Sequence, residues 1–216
     1  MITEKHSVAA FDFDDTLVAT IKNVWSQHKH VALTEFGIEI TDADMRRVWG
    51  RPFHQMVEDL YGHPFSMVEP HLLKEKPNFP KEIFPGSKRL LANLRAARKI
   101  TALVTSTNTR SLAVDFVHNA IEDNTFDHVF TIDDCEYHKP DKRVFDPLLA
   151  HGYVPEEIVY VGDAPTDFYA ARDAGFDFIG VATGLLSVED FAQLQGWERS
   201  GAIAVPSVAD ITLSTR

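Results

Sequence analysis

The sequence predicts an α/β fold: an open parallel sheet with helices on both faces, interrupted after its first strand by a helical insert. Three observations carry this. From residue 84 onward, short apolar runs alternate with amphipathic stretches, the pattern of successive βαβ units. The first strand, around Val8-Ala9-Ala10-Phe11, is continuously apolar, as in a parallel strand buried on both faces. Between residues 17 and 83, by contrast, only helical periodicity is visible.

The first strand, 7–13, holds the apolar run Val8-Ala9-Ala10-Phe11 and ends in acid. A helix follows from Ile21, with Val24, His28, Val31, Ala32 and Phe36 at helical spacing and Gly37 as its stop. Residues 41–49 form a second helix, with Thr41 as N-cap and acids in its first turn. A third, 52–61, places Phe53, Met56, Val57 and Leu60 on one face. A fourth lies within 67–76, with Pro70 near its start. Pro77, Pro80 and Pro85 then mark a linker.

The alternating part begins with a helix at 87–98, whose apolar side carries Leu90, Leu91 and Leu94. Strands are expected at 100–105, 128–132, 158–162, 177–181 and 203–205. The helices between them are 110–120, 142–151 (disturbed by Pro147), 167–174 (closed by Gly175) and 187–195 (opened by Ser187 and Asp190 as a capping pair). Residues 1–16 and 84–216 thus read as a Rossmann-like core domain, and 17–83 as a helical domain inserted into it. In such sheets ligands sit outside the carboxyl ends of the strands.

At 216 residues and 44% hydrophobic, the chain has enough apolar material for a real core. It has no apolar run near the roughly 18 residues that span a bilayer, and its N-terminus lacks the order of a signal peptide. Cys135 is the sole cysteine, which rules out an intrachain disulfide and fits a reducing compartment. A cytoplasmic location is expected, with no membrane partner. The net charge of −11 opposes a phosphate-backbone footprint, so no nucleic-acid partner is expected either.

The strand ends carry the chemistry. "DFDDT" follows the first strand, "TSTNT" the second, "HKPD" the third and "GDAPTD" the fourth. In a parallel sheet all of these converge on one edge. Asp12, Asp14, Asp163 and Asp167 can surround a hard divalent ion such as Mg²⁺. One carboxylate can attack phosphorus, and a second can protonate a leaving oxygen and activate water. Thr105 or Ser106 offers a hydroxyl and backbone N–H groups to phosphate oxygens, and Lys139 offers a point charge. Blander readings exist for some of these: Asp15-Thr16 and Thr166-Asp167 as helix caps, Thr107 and Asn108 as turn residues. Capping does not explain Asp12 and Asp14 together.

Asp12-Phe-Asp14-Asp15-Thr16, Thr105, Lys139-Pro140 and Gly162-Asp163…Asp167, in this order, resemble the four motifs of the haloacid dehalogenase superfamily. "GRPFHQMVEDLYG" and "GVATGLLSVEDF" are similar to stretches of its phosphoglycolate phosphatase-like branch, and the insert resembles the C1 cap of that superfamily. The resemblance implies that Asp12 is the nucleophile and a Mg²⁺ ligand. It implies that Asp14 is the general acid/base and lends the metal a backbone carbonyl. Thr105 would bind the phosphoryl group, and Lys139 would steady both nucleophile and transferring phosphoryl. Asp163 would bind Mg²⁺, and Asp167 would support the metal shell. The implied activity is hydrolysis of a small phosphorylated metabolite, with phosphoglycolate as the leading substrate.

Similar proteins run other reactions. Dehalogenases and phosphonatases of this superfamily lack the carboxylate found here at Asp14, and Lys22 and Lys29 read as surface charges. β-Phosphoglucomutases carry a cap histidine twelve positions after the nucleophile, where this chain has Val24. A pyrophosphatase or nucleotidase of the same fold is a further alternative. Receiver-like signalling domains lack the 17–83 insert. Asp15 stands where many members have glycine, and its side chain is expected to turn away from the metal. In the insert, Arg51 is a candidate for a substrate carboxylate or second phosphate, with a surface arginine as the competing reading.

Overall fold

The structure, a computed structural model, describes residues 1–49, 51 and 53–214. In chain order its elements are β1 (Val8–Phe11), β2 (Val18–Ala19), α1 (Ile21–Phe36), α2 (Asp42–Val48), α3 (Phe53–Tyr61), α4 (Phe65–Glu75), β3 (Glu82–Ile83), α5 (Ser87–Ala96), β4 (Ile100–Val104), α6 (Thr109–His118) and β5 (His128–Phe130). There follow α7 (Asp146–Leu149), β6 (Ile158–Gly162), α8 (Pro165–Ala174), β7 (Asp177–Val181), α9 (Val188–Phe191), α10 (Trp197–Ser200) and β8 (Ile203–Val205). Gly50 and Pro52, at the expected turn and third-helix start, lie outside the described residues.

Six strands form one sheet in the order β5-β4-β1-β6-β7-β8, and every pairing in it is parallel. This is the α/β class the sequence predicts. Successive residues of each strand serve opposite faces, so both faces need apolar side chains. Ala9, Phe11, Leu103, Val159 and Val161 pack with Leu90, Leu91, Leu94 and Leu112 on one face. Val8, Ala10, Val104, Ile158 and Tyr160 pack with Phe145, Leu148, Phe168 and Phe191 on the other.

Several elements differ from their sequence expectations. Helix α4 begins at Phe65, earlier than expected, because the Glu58 carboxylate accepts the Phe65 N–H at 3.0 Å and caps it. Pro70 therefore sits inside the helix rather than near its start. The stretch 142–151 divides into a 3₁₀ turn, Lys142–Phe145, and α7, with Pro147 in the first turn of α7, where its missing N–H is harmless. Helix α9 is a single turn after its Ser187–Asp190 capping box. Tighter bonds, Gln193 N–H to Asp190 O and Leu194 N–H to Phe191 O, then bend the chain so that Leu194 and Trp197 reach the second core. The proline-marked linker contains β3, which pairs antiparallel with β2.

The chain divides into two compact units, Met1–Ala19 with Glu82–Arg216, and Thr20–Lys81. The first holds the sheet and the second holds α1 to α4. Among the described residues no helix is long and apolar enough to cross a membrane.

Within the helical unit, α1 ends at Gly37, whose φ of 68° is the left-handed conformation glycine adopts without strain. Thr41 and Asp44 form a reciprocal capping box on α2. His28 is buried beside Tyr61, whose hydroxyl donates to the His28 carbonyl at 3.0 Å and meets its Nδ1 at 3.2 Å. Burial lowers the His28 imidazole to about 4. The unfolded chain protonates this ring near 6.5, while the folded chain resists until about 4. The contribution of His28 to stability is therefore full above 6.5 and is lost as pH drops through this window, by about 3 kcal/mol in total. Urea melts at pH 7 and pH 4.5 test this. His28→Leu should lose less stability than wild type over that interval; equal losses would show that His28 does not carry the dependence.

Candidate active site

The parallel register brings the carboxyl ends of β1, β4, β5 and β6 to one edge of the sheet. Asp12 directly follows β1, and its N–H still bonds Val161 O at 2.9 Å, so the ladder holds its main chain. Thr105 follows β4 in the same way, donating to Phe130 O at 3.0 Å. Asp163 follows β6. Asp167 stands in the first turn of α8, where its Oδ2 accepts the Ala164 N–H at 3.0 Å, as an acid near a helix N-terminus does.

Lys139 lies on the long loop after β5. Acids of that loop tie it down: Asp134 closes a capping box with Thr131, and Asp133 accepts the Thr109 N–H at 2.9 Å. Lys139 Nζ donates to Asp12 Oδ1 at 2.6 Å, to Asp167 Oδ1 at 2.7 Å and to Tyr160 OH at 3.0 Å. The side chains are nearly sealed from water, at 6% exposure for Lys139, 9% for Asp12 and 2% for Asp167.

One carboxylate oxygen each from Asp12, Asp163 and Asp167 lie within 4.8 Å of one another. Three acids against one ammonium leave an excess of negative charge. Burial, opposed by Lys139 but reinforced by Asp167 and Asp14, pushes Asp12 up to about 7. Burial, with Asp167 and Asp12, holds Asp163 well above the usual carboxylate range. Burial alone would lower the Lys139 ammonium; Asp12 and Asp167 more than reverse that and hold it well above its ordinary value. A further cation would relieve the repulsion, and an all-carboxylate donor set suits a hard divalent ion.

Two glycines make room for these carboxylates. A Cβ at Gly162 would fall 2.5 Å from Asp167 Cγ, and one at Gly184 would fall 1.9 Å from Asp163 Oδ2. Gly184 belongs to the stretch "GVATGLLSVEDF", where nothing in the sequence ties it to Asp163.

The remaining nominated residues are placed as follows. The Asp14 carboxylate lies outside the three-acid group and accepts from Thr107 Oγ1 at 2.5 Å. Thr107 is thus more than a turn residue, while Asn108 is the N-cap of α6. Thr105 is buried, and its hydroxyl accepts the Thr107 N–H at 3.1 Å; Ser106 is exposed. Asp15 does not cap a helix. Its φ of 53° is left-handed, a conformation glycine takes freely and aspartate tolerates. In the helical unit, Arg51 is exposed and paired with Asp59 at 2.6 Å. Tyr160, which the sequence presents only as a strand residue, is the member of the lysine's surroundings that the motifs did not reveal.

Comparison with known proteins gives a consistent set. The sequence profile described as haloacid dehalogenase-like hydrolase matches residues 9–181. A phosphoglycolate phosphatase of Agrobacterium fabrum is 26% identical over 194 residues, covering 84% of this chain and 82% of its own. A validoxylamine A 7′-phosphate phosphatase of Streptomyces hygroscopicus subsp. limoneus is 26% identical over 191 residues, covering 82% and 86%. Among solved structures, a HAD hydrolase of family IA, variant 3, from Entamoeba histolytica superposes with a TM-score of 0.80 over 95% of both chains at 17% identity, a likeness of fold.

Proposed function

The chain belongs to the haloacid dehalogenase-like hydrolase family, and from that premise we propose that it is a Mg²⁺-dependent phosphatase of small-metabolite phosphomonoesters. The observation that carries this reading is the grouping of the Asp12, Asp163 and Asp167 carboxylates, with Lys139 bonded to Asp12 and Asp167, at the sheet edge where Asp14 and Thr105 also stand. The two curated relatives are named for different phosphomonoesters, which supports the substrate class and leaves phosphoglycolate as one candidate within it.

Asp12 Oδ1 is held by Lys139, and Oδ2 is the attacking oxygen. It forms a bond to phosphorus as the bond to the leaving alcohol breaks, and Asp14 gives its proton to the departing oxygen. Water then attacks the phosphorus of the aspartyl-phosphate and passes a proton back to Asp14. Phosphate leaves, and Asp12 is restored. Thr105, with the backbone N–H of Ser106, steadies the phosphoryl oxygens. Bound Mg²⁺ would supply charge neutralisation between carboxylates and phosphoryl oxygens. Asp12, Asp163 and Asp167, with the Asp14 main-chain carbonyl, are the groups that would hold it.

The sheet unit, 1–19 with 82–216, carries the chemistry, and the helical insert, whose bounds are 20–81 and not the 17–83 expected from the sequence, acts as the cap that selects the substrate. Arg51 is assigned to a second anionic group on that substrate, exchanging Asp59 for it. Arg51→Ala should raise KM for such substrates with kcat retained. An unchanged KM would leave Arg51 as one half of a surface ion pair.

The reading is tested by phosphate release from a panel of phosphomonoesters, including phosphoglycolate, sugar phosphates and nucleoside monophosphates, with Mg²⁺ or with EDTA. Release that requires Mg²⁺ and is strongest for one compound supports it. No release from any ester overturns it.

A further inference from the structure

We propose that Tyr160 is a positioning residue of the reaction, acting on Asp12 through Lys139; the proposal rests on the phosphatase reading above. Tyr160 lies in the middle of β6 with no exposed surface. Its ring packs at 4.9 Å from the Phe145 ring and 6.5 Å from that of Phe178. A phenylalanine ring would fill the same space, so packing does not account for the hydroxyl. Burying a hydroxyl is unfavourable unless it is bonded.

Here the hydroxyl has two partners. It donates to Val104 O at 2.9 Å and accepts from Lys139 Nζ at 3.0 Å. Val104 is the last residue of β4, directly before Thr105, so the phenol is fixed to the rigid edge of the sheet.

An ammonium has three donors and no acceptor. In Lys139 all three are committed, to Asp12, Asp167 and Tyr160. Two of these partners are carboxylates that compete for the same cation. The neutral phenol sets the third direction, and three contacts fix an ammonium where two would let it rotate. Asp12 Oδ1 is then engaged at one defined angle, which orients Oδ2 for attack. With its donors spent in this way, Lys139 acts on the nucleophile and not on the phosphoryl oxygens, a narrower role than the one the family resemblance implied.

The test is Tyr160→Phe, which keeps the ring and removes the hydroxyl. Its kcat should fall about 10- to 100-fold, the usual effect of losing a group that orients a reacting one, with KM within about twofold. The second readout is independent of turnover: the Lys139 ammonium resonance in ¹⁵N-lysine-labelled protein, assigned by its loss in Lys139→Met. In wild type it should be sharp and show a nuclear Overhauser contact to the Tyr160 ring; in Tyr160→Phe it should broaden. Unchanged kcat in folded Tyr160→Phe overturns the proposal, as does a fall in kcat with the resonance unaltered. If Tyr160→Phe does not fold, the wild-type contact decides, and its absence overturns the proposal. Wild-type protein that hydrolyses no ester defeats the phosphatase reading instead, and the resonance then still decides whether Tyr160 holds Lys139.

Discussion

Asp12→Asn should abolish turnover, by about 10⁴-fold or more, the scale seen when a covalent nucleophile is removed. The amide keeps an oxygen that can accept the Lys139 N–H, and its size is nearly unchanged. The fold should survive. It should even gain stability in the absence of divalent ions, because one of three crowded carboxylates is replaced by a neutral group. The expected signature is therefore an inactive protein with a melting temperature equal to or above that of wild type, and with a weaker response to added Mg²⁺. Activity within tenfold of wild type would remove Asp12 from the nucleophile's role.

Lys139→Met should damage both stability and rate. The lysine side chain is buried between Asp12 and Asp167, and its loss leaves their charges uncompensated. Breaking a buried pair in this way costs about 3–5 kcal/mol. The rate should fall by about 10²- to 10³-fold, as when one preorganised donor is lost. Saturating Mg²⁺ should recover part of the stability, since an ion that binds only the folded state shifts the equilibrium toward it. Lys139→Arg should not rescue the rate. A planar guanidinium cannot send three N–H groups to Asp12, Asp167 and Tyr160 as a compact ammonium does. Denaturant melts with and without Mg²⁺, beside steady-state kinetics, check both halves. A Lys139→Met variant as stable and active as wild type would contradict them.

What the sequence discloses and what it withholds have physical causes. The central strands of the main sheet are legible because burial on both faces demands continuous apolar runs, as in Val8–Phe11 and Ile158–Gly162. The acids at the strand ends stand out because charge directly after such a run is anomalous. The two-residue strands β2 and β3 are too short to show any pattern. Pro70 was misplaced because the cap of α4 comes from Glu58, a side chain outside that helix. Thr107 passes for a turn residue because its bond to Asp14 spans distant segments of the chain. Tyr160 is invisible for a related reason: in a buried strand an aromatic residue reads as core, and only the fold shows its hydroxyl aimed at Lys139. Gly184 likewise acquires meaning only once Asp163 is seen against it.

The central claim is that Asp12 carries the phosphoryl group. The most direct measurement is rapid acid quench of the protein turning over its best ester with Mg²⁺, followed by peptide mass spectrometry. The account predicts a phosphoryl adduct on the peptide containing Asp12, absent from Asp12→Asn. Rapid phosphate release with no adduct on that peptide at any quench time would contradict it, because water would then be attacking the ester directly.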